Sequence, residues 1–444
     1  MTTFLATPGG WPRILLARAA SAAADPADLA AASAAGAFAG LRIAIEELGP
    51  ESTVAAIEES GLRGRGGAGY PTGAKWRACA STDAARRFVV VNGYGADPAV
   101  FIDQVLMERD PYAVLEGAAI AAYAVGATEI VIAVRAEYAE AVRRLEVAVR
   151  AAEEAGFLGV DVMGSGVDLT VTIRTVQGAY MLGEETVLLK ALEGKRGQPE
   201  QRPPHPAERG LFGYPTVVQN VATVAAVPWI LVNGPQAFNA IGAPDAPGTV
   251  LVQVSGAAKN GIAEVPTGTT LNEILTLAGG AARGQSVKAV LVGGPSGGLL
   301  PASALDTPYD FGPLRDVGAH VGSGSVVVAD QRTCIVDLAR LLTAFCADEA
   351  CGKTIPCRIG TRRIAEIGDR LTTGRPRPAD LTLLADLSHD VAASALCDHE
   401  RLTTLPFTSA MRYFRPELDE HILRSSCPAG VCRPIAVAGP AAAH

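Results

Sequence analysis

A glycine-rich stretch, residues 61–76, constrains the fold of this chain more than any other feature. It contains six glycines in sixteen residues, in the order GLRGRGGAGYPTGAKW. Glycine adopts positive φ freely and lets a ligand approach the backbone, so successive N–H groups of such a loop can converge on an anion. Arg63, Arg65 and Lys75 add cationic donors that suit the phosphate of a nucleotide or a flavin. The stretch therefore predicts a phosphate-binding loop.

The surroundings of this loop distinguish it from two common phosphate-binding motifs. Its spacing is not that of a P-loop. A dinucleotide-binding G-x-G-x-x-G follows a strand and opens a helix, whereas residues 52–60 ahead of this loop predict a helix. A surface turn is the alternative interpretation for any isolated glycine-rich loop.

Three further strings occur together with the loop: Gly183–Thr186, Leu192–Pro199, and Cys351–Lys353 with Pro356–Arg358. With these strings the chain resembles the NADH-binding flavoprotein subunit of respiratory complex I. It also resembles the related diaphorase subunits of soluble hydrogenases and formate dehydrogenases. The resemblance extends over nearly the whole chain, and it would make this protein a divergent member of the family. It implies FMN, NAD(P)H and an iron–sulfur cluster as cofactors.

The order of predicted elements divides the chain into three domains. Residues 1–245 alternate strands and helices, which indicates an α/β fold with helices at its N-terminus; the resemblance implies that this domain binds FMN and NAD. Residues 246–331 predict short strands at 249–254, 287–292 and 325–329 around a helix at 271–277, similar to the small β-grasp, soluble-ligand-binding module of the family. Residues 332–444 predict a C-terminal helical bundle, and the resemblance implies that it is of the iron–sulfur type.

The resemblance implies an FMN site around the loop and around a predicted strand at residues 87–92. The implied flavin-binding residues are Gly64, Arg65, Gly66, Gly67, Lys75, Asn92, Asp97, Tyr180, Gly183, Glu185, Asn220 and Thr223. Two carboxylates of the family pattern are absent, because Tyr94 and Gly95 occupy their positions. The Tyr94 ring can stack on a flavin or fill its space.

The implied dinucleotide site departs from the family in a similar way. Its residues are Tyr70, Glu184, Glu185, Arg202 and His205. Of the three aromatic side chains that hold the adenine in the family, only Tyr70 remains. NADPH is an alternative to NADH as the bound dinucleotide, since an arginine suits a 2′-phosphate.

The implied iron–sulfur site has three of its four cysteines. Cys351, Cys357 and Cys397 are the candidate ligands, and Thr354 occupies the expected middle cysteine position. A neutral hydroxyl is a poor substitute for a thiolate. The open outcomes are a cluster with an oxygen ligand, water or another donor, a three-iron cluster, or no cluster.

The sequence spacing of the remaining cysteines is not typical of a metal site. We expect Cys79, Cys334 and Cys346 to be buried, inert thiols. Cys427 and Cys432 form a lone C-x₄-C pair, for which two unbound thiols are the default expectation.

Charge and hydropathy exclude two classes of partner. The net charge is −8 and the basic residues are scattered, so the sequence predicts no nucleic-acid binding. Residues 210–244 contain no Asp, Glu, Lys or Arg, but prolines and amides interrupt them, so they predict buried core and no direct membrane span. The N-terminus lacks a secretory signal, which indicates the cytoplasm, with attachment at the periphery of a membrane complex left open.

Two functional hypotheses follow. The first is a flavin-dependent NAD(P)H dehydrogenase subunit, or diaphorase, that passes electrons through FMN to a partner redox protein, such as a ferredoxin-like or thioredoxin-fold iron–sulfur subunit. The second is a cofactor-depleted scaffold or docking subunit of a redox complex, which the changes at Ala78, Tyr94, Gly95 and Thr354 motivate.

Overall fold

Two large sheets, one small two-stranded sheet and a helical bundle make up most of the described part of the chain. The structure is a computed structural model that describes residues 3–20, 25–282 and 284–432. Its strands are β1 (Phe88–Gly93), β2 (Glu129–Arg135), β3 (Thr170–Val176), β4 (Thr216–Asn220), β5 (Gly242–Ala243), β6 (Ala246–Pro247), β7 (Thr249–Ser255), β8 (Gly261–Pro266), β9 (Val287–Val292), β10 (Gly298–Pro301) and β11 (Ser325–Asp330).

The α-helices of the described residues are numbered in chain order. They are α1 (Leu16–Ala19), α2 (Leu29–Ala34), α3 (Ala39–Ile43), α4 (Gly49–Ser60), α5 (Thr72–Ser81), α6 (Ile102–Arg109), α7 (Pro111–Val125), α8 (Ala139–Glu154), α9 (Glu185–Leu192), α10 (Val221–Asn233), α11 (Pro235–Asn239), α12 (Leu271–Leu277), α13 (Phe311–Asp316), α14 (Ile335–Asp348), α15 (Arg362–Thr372), α16 (Asp380–Ala393), α17 (Asp398–Leu402), α18 (Leu405–Tyr413) and α19 (Arg415–Arg424).

The first sheet is parallel throughout and has the order β3–β2–β1–β4. Its strand β1 begins with four buried residues, Phe88 to Val91, as expected where both faces of a sheet are covered. The helix α7 is buried along its whole length and packs against both β1 and α10. This arrangement confirms the predicted α/β region and brings the loops after β1 and β4 to one edge.

Buried carboxylates on β8 and α7 hold the N-terminal helices in place. Glu264 on β8 accepts hydrogen bonds from the backbone N–H groups of Ile14, Leu15 and Leu16, at the start of α1. Glu116 on α7 accepts from three N–H groups at the start of α3 in the same way. Each carboxylate satisfies helix N–H groups that have no intrahelical partner.

The second sheet is mixed and has the order β10–β9–β11–β7–β8. The helix α12 packs on it through Leu271, Ile274 and Leu275. A capping box between Thr270 and Glu273 fixes the start of this helix. The strands and the helix confirm the predicted β-grasp type of module.

The helices α14 to α19 form the C-terminal bundle. Its core contains Ile335, Ile364, Leu384 and Phe407, and it continues onto Leu291 of the second sheet. This confirms the predicted helical region. The exact domain boundaries 1–245, 246–331 and 332–444 stay a prediction, and residues 433–444 of the last one lie outside the described residues.

Two helix boundaries are worth comparing with the sequence. The pair Gly49-Pro50 predicts a helix end, and the π-helical segment Ala44–Leu48 does end there with Gly49 as its C-cap. The same two residues also begin α4, because proline is tolerated in the first helical turn, where its missing N–H has no partner to lose. The sequence pattern predicts one helix over residues 179–192, but this segment is divided into a 3-10 turn, Tyr180–Gly183, and α9, because Glu184 is extended and caps α9.

The central part of the apolar segment 210–244 lies in the interior as predicted, whereas residues near its two ends are exposed. Its helix α10 is buried at ten of its positions, and Pro228 lies within it. None of the helices in the described ranges has both the length and the hydropathy needed to cross a bilayer.

A backbone contact between α7 and α10 gives a test of this packing. A Cβ on Gly117 would lie 1.9 Å from the Val224 carbonyl oxygen. We expect Gly117→Ala to lower the free energy of unfolding by about 1–3 kcal/mol, because the helices must separate. Urea unfolding measures the change. Gly312→Ala is the control, since a Cβ there meets nothing within 4 Å; equal effects of the two substitutions would contradict the close contact.

Candidate functional site

Two asparagines mark the edge at which the parallel strands end. Asn92 on β1 and Asn220 on β4 are register partners, so they stand side by side. The Asn92 amide donates to the Gly183 carbonyl oxygen at 3.0 Å, and Asn220 caps α10 by accepting from the Ala222 N–H at 2.9 Å. Open α/β sheets bind their ligands at this edge.

The glycine-rich loop lies against this edge with bare backbone. A Cβ on Gly66 would lie 3.1 Å from the Asn220 Cβ, and one on Gly67 would lie 3.1 Å from the Gly322 carbonyl oxygen. Gly67 has a φ of +107°, which other residues rarely adopt. A side chain at either position would press on the opposing element, so the loop keeps bare backbone N–H groups, which suit the phosphate-bearing end of a flavin nucleotide. We refer to residues 64–67 as the glycine cradle.

Gly64, Arg65 and Thr223 hold the loop in this position. The Gly64 N–H donates to the Tyr70 carbonyl oxygen at 2.9 Å, and the Arg65 N–H donates to Thr223 Oγ1 at 2.8 Å. The Arg65 guanidinium donates to the Pro247 carbonyl oxygen at 2.6 Å, and its burial lowers the pKa of Arg65 to about 10. The Arg65 side chain thus anchors the loop to β6.

An ion-pair network joins the loop to the segment after the 3-10 turn. Lys75 Nζ lies 2.9 Å from Glu185 Oε2, and Arg202 contacts both Glu184 and Glu185. Burial raises the pKa of Glu185, but Lys75 and Arg202 outweigh it and hold that pKa below its usual value. The network combines two cationic with two acidic side chains.

An accessible aromatic ring lies beside this network. The Tyr70 side chain is 53% exposed, and Lys75 Nζ lies 5.8 Å from the centre of its ring. His205 is exposed, and its charge acts on Glu185. A flat, accessible ring of this kind can stack on a nucleobase.

The loop that carries Arg202 and His205 also lines a cavity. The sequence predicts a function for this long, basic loop. The cavity has a volume of ≈ 420 Å³, and its walls include Lys190, Lys195 and Lys353. Lys353 Nζ donates to the Pro199 carbonyl oxygen at 2.6 Å, which connects the loop to the helical bundle.

The two positions that depart from the family have structural roles here. Tyr94 is buried in an apolar cluster with Leu182 and Val218, and its hydroxyl donates to the Gly178 carbonyl oxygen. Gly95 has a φ of +57°, and a Cβ there would lie 2.7 Å from the Tyr138 hydroxyl.

Two carboxylates follow β1, and the sequence identified only one of them. The buried Asp97 accepts from the Ala99 N–H at 3.0 Å and from Ser323 Oγ at 3.2 Å, and burial raises its pKa. Asp103 on α6, which the sequence missed, accepts from Asn220 Nδ2 at 2.8 Å. Desolvation raises the pKa of Asp103 to about 7, although this hydrogen bond opposes the rise. Its position in the first turn of α6, close after β1, was the available signal.

The candidate cluster ligands lie together in the helical bundle. Cys351, Cys357 and Cys397 line one small space of ≈ 10 Å³. Tyr180 connects the flavin side to this region, since its N–H donates to Glu349 Oε2 at 2.6 Å and its ring packs on His399. The donor set fits a cluster held by three thiolates.

The fourth side of this space holds three other polar side chains. Thr354 Oγ1 donates to Glu400 Oε1 at 2.7 Å, and Glu400 Oε2 accepts from the Leu396 N–H at 2.9 Å. His399 Nε2 lies 2.9 Å from the Cys346 carbonyl oxygen, which makes Nε2 the protonated nitrogen. The buried His399 Nδ1 has no hydrogen-bond partner among the described residues.

The chain combines a glycine cradle that suits a phosphorylated flavin with a separate group of three thiols. This combination defines a class of protein. Such proteins are flavoproteins that exchange electrons with an iron–sulfur centre. Residues 57–229 match the Nuo51 FMN-binding domain, and residues 337–421 match the NADH-ubiquinone oxidoreductase-F iron-sulfur binding region.

Two relatives cover most of the chain. It is 42% identical over 385 residues to HndC of the NADP-reducing hydrogenase of Solidesulfovibrio fructosivorans, over 86% of this chain and 78% of that protein. It is 40% identical over 397 residues to an F-type subunit of the NADH-quinone oxidoreductase of Rhizobium meliloti (strain 1021), over 89% of this chain and 94% of that protein.

Solved structures of an NAD+-reducing [NiFe]-hydrogenase share the fold. The air-oxidized state matches with a TM-score of 0.80 and 32% identity, over 95% of this chain and 68% of that chain. The H2-reduced state matches with a TM-score of 0.79 and 34% identity, over 87% of this chain and 65% of that chain.

The chain belongs to the Nuo51 family, whose members include the FMN-binding subunit of NADH-quinone oxidoreductase. The predicted resemblance is confirmed, and with it the class of NAD(P)H-oxidising flavoprotein that has an FMN-binding domain and an iron–sulfur region. The relatives are subunits of larger enzymes by their names, so a redox partner is implied. The individual site residues stay predictions.

The raised pKa of Asp103 predicts a pH-dependent stability. Because the folded-state pKa is about 7 and the unfolded value is about 4, the folded state binds more protons between these values. This stabilisation is complete below about pH 4 and is lost as pH rises to about 7, by up to about 1.4 kcal/mol per pH unit. We expect Asp103→Asn to be more stable than the parent at pH 8, with a smaller difference at pH 5.

Urea unfolding at the two pH values measures this difference. The control is Asp306→Asn, which changes an exposed aspartate of the second domain. A stability difference for Asp103→Asn that is the same at both pH values would show that Asp103 does not titrate in this range.

Proposed function

We propose that this protein oxidises NADH and transfers the electrons through FMN and an iron–sulfur cluster to a partner redox protein. The observation that carries the proposal is the glycine cradle beside Asn92 and Asn220, with the ion-pair network next to it. When bound, FMN supplies the conversion of a two-electron donor into one-electron carriers. The backbone of residues 64–67 would hold its phosphate, and Lys75 would position Glu185.

The charges around the dinucleotide site favour NADH over NADPH. Arg202 is already paired with Glu184 and Glu185, so it has little capacity for a further anion. A 2′-phosphate would bring negative charge next to both carboxylates, whereas a ribose hydroxyl can donate to them. The ratio of kcat/KM for the two dinucleotides measures this preference, and a higher value for NADPH would contradict it.

A visible spectrum of the anaerobically purified protein tests the redox function. We expect an oxidised-flavin band near roughly 450 nm that bleaches on addition of NADH. A protein that stays colourless after reconstitution with FMN, iron and sulfide would support the alternative of a cofactor-depleted scaffold.

Tyr70→Ala tests the dinucleotide position within the same experiment. If the accessible ring stacks on the adenine, its loss should raise KM for NADH by roughly 5- to 150-fold, because base–aromatic stacking contributes about 1–3 kcal/mol. FMN content should not change. Phe212→Ala is the control, since Phe212 is a comparably exposed aromatic that packs on Phe88 at the opposite end of β1. An equal KM for both variants would remove Tyr70 from the site.

The surface next to the cluster ligands supports a protein partner. Ile355 and Ile359, on either side of Cys357, are 68% and 50% exposed. Arg358, Arg362 and Arg363 are exposed around them. An apolar patch rimmed by cations fits an acidic face of a ferredoxin-like or thioredoxin-fold iron–sulfur protein. Electrons would leave the protein at this surface, within a complex that lies in the cytoplasm or at the periphery of a membrane.

His399 is our candidate for the fourth ligand of the cluster. The oxygens of Thr354 and Glu400 are hydrogen-bonded to each other or to the backbone, whereas His399 Nδ1 keeps a free lone pair. A hydrogen bond from the other ring nitrogen to a carbonyl oxygen is typical of histidine ligands. Histidine also replaces cysteine in other iron–sulfur centres.

Iron content and nitrogen coupling test this ligand. We expect about four iron atoms per chain and a nitrogen coupling in pulsed EPR of the reduced cluster. His399→Leu should lose one iron and the coupling, and Thr354→Cys in the same variant should restore the iron but not the coupling. His389→Leu is the control, because His389 is exposed on α16. Unchanged iron and coupling in His399→Leu would show that another donor completes the site.

A further inference from the structure

Four metal-ligating side chains converge at the other end of the helical bundle. Cys334, His421, Cys427 and Cys432 each place one ligand atom within 4.8 Å of the other three. Cys334 is the N-cap of α14, His421 lies on α19, and the other two follow α19. Cys334 is buried, as expected, but sequence spacing did not predict this group, because Cys334 lies 87 residues from His421 and 98 from Cys432.

The distances within this group match the edges of a tetrahedron around one small ion. The Sγ atoms of Cys334 and Cys432 are 3.6 Å apart, and each lies 3.5 Å from His421 Nε2. Metal bonds of about 2.3 Å to sulfur and about 2.0–2.1 Å to nitrogen give tetrahedral edges of about 3.8 Å and about 3.6 Å. The ligand atoms thus stand where a bound ion would require them.

Hydrogen bonds around the group prepare the ligands for a metal. His421 Nδ1 lies 2.8 Å from the Glu417 carbonyl oxygen, so Nδ1 carries the proton and Nε2 has the free lone pair. The Asp337 N–H donates to Cys334 Sγ at 3.4 Å. An N–H···S hydrogen bond of this kind would stabilise a metal-bound thiolate.

We propose that Cys334, His421, Cys427 and Cys432 bind one zinc ion. Three thiolates and a neutral imidazole in tetrahedral geometry are a donor set typical of structural zinc. All four coordination positions are filled by protein, so no position is left for a substrate or a reactive water. The site therefore has a structural role.

This group cannot replace the iron–sulfur site. In a cubane each thiolate binds a different iron, so ligand sulfurs stand farther apart than the ligands of a single ion. None of the four residues lines the space between Cys351, Cys357 and Cys397. The zinc proposal therefore does not depend on the proposed electron transfer.

The proposed ion would connect three segments of the bundle. It joins the start of α14 to the end of α19 and to residues 427–432, which pack only partly against the bundle core. Glu417 supports the same place, since its carboxylate accepts from the Ile335 N–H at 2.9 Å and pairs with Lys288 at 2.8 Å. Loss of the ion should release the segment after α19.

Metal analysis of the purified holoprotein tests the proposal. We expect about one zinc per chain after dialysis against EDTA. Zinc absorption spectroscopy should give three sulfur neighbours and one nitrogen neighbour. In Cys432→Ser the zinc content should fall to background while the iron content stays unchanged. In Cys357→Ser the iron content should fall while zinc stays unchanged, which separates the two sites.

Cys79→Ser is the matched control, because Cys79 is buried in the core of the first domain, away from both sites. Zinc at the parental level in Cys432→Ser would overturn the proposal, and so would an intact mass showing a disulfide in a zinc-free protein. Iron in place of zinc in the same four-ligand shell would overturn the choice of metal. If Cys432→Ser does not fold, the absorption spectrum of the parent decides, since any shell other than three sulfurs and one nitrogen contradicts the site.

Discussion

The close approach of bare backbone to three separate elements is the constraint on which the flavin cradle depends. Gly66 lies against Asn220 on β4, Gly67 against Gly322 ahead of β11, and Gly69 against the Phe311 ring on α13. At each position a Cβ would lie within 3.1 Å of an atom of the opposing element. The loop is therefore fixed before any ligand binds. Such preorganisation lowers the entropy cost of gripping a phosphate.

The same geometry sets the electrostatics of dinucleotide binding. Lys75 lies at the start of α5, directly after the loop, so the position of the loop also decides where its ammonium group meets Glu185. Arg202 closes the network from the other side. Because the acidic side chains already have cationic partners, the site does not depend on ligand charge for its own stability. In our proposal, these carboxylates repel an added phosphate and so distinguish NADH from NADPH.

Local patterns allowed much of this structure to be predicted. The bounds of β9 and α12 match the sequence prediction, because a β-branched run and a capped apolar helix are local signals. The glycine-rich loop was identified for the same reason. Gly49 and Pro50 correctly predicted a helix end, but not that α4 begins at the same two residues, because proline is compatible with both the end and the start of a helix.

Features that depend on tertiary contact were not predictable from local patterns. The orientation of Tyr94 is decided by its packing with Leu182 and Val218, and the shifted pKa of Asp103 is decided by the protein packed around it. Cys334 has no neighbouring cysteine in sequence that would indicate its environment. Only the fold brings it to His421 and the C-x₄-C pair.

The helix α14 connects the two metal-ligating groups of the bundle and separates their roles. Its fourteen residues span about 21 Å from Cys334 at its N-cap to the segment that carries Cys351. Zinc has no accessible redox change, so an ion at Cys334 would neither accept electrons nor divert them from the cluster. It would instead fix the far end of the helix that positions the cluster ligands. The bundle would then contain the iron–sulfur cluster at one end and a structural zinc ion at the other.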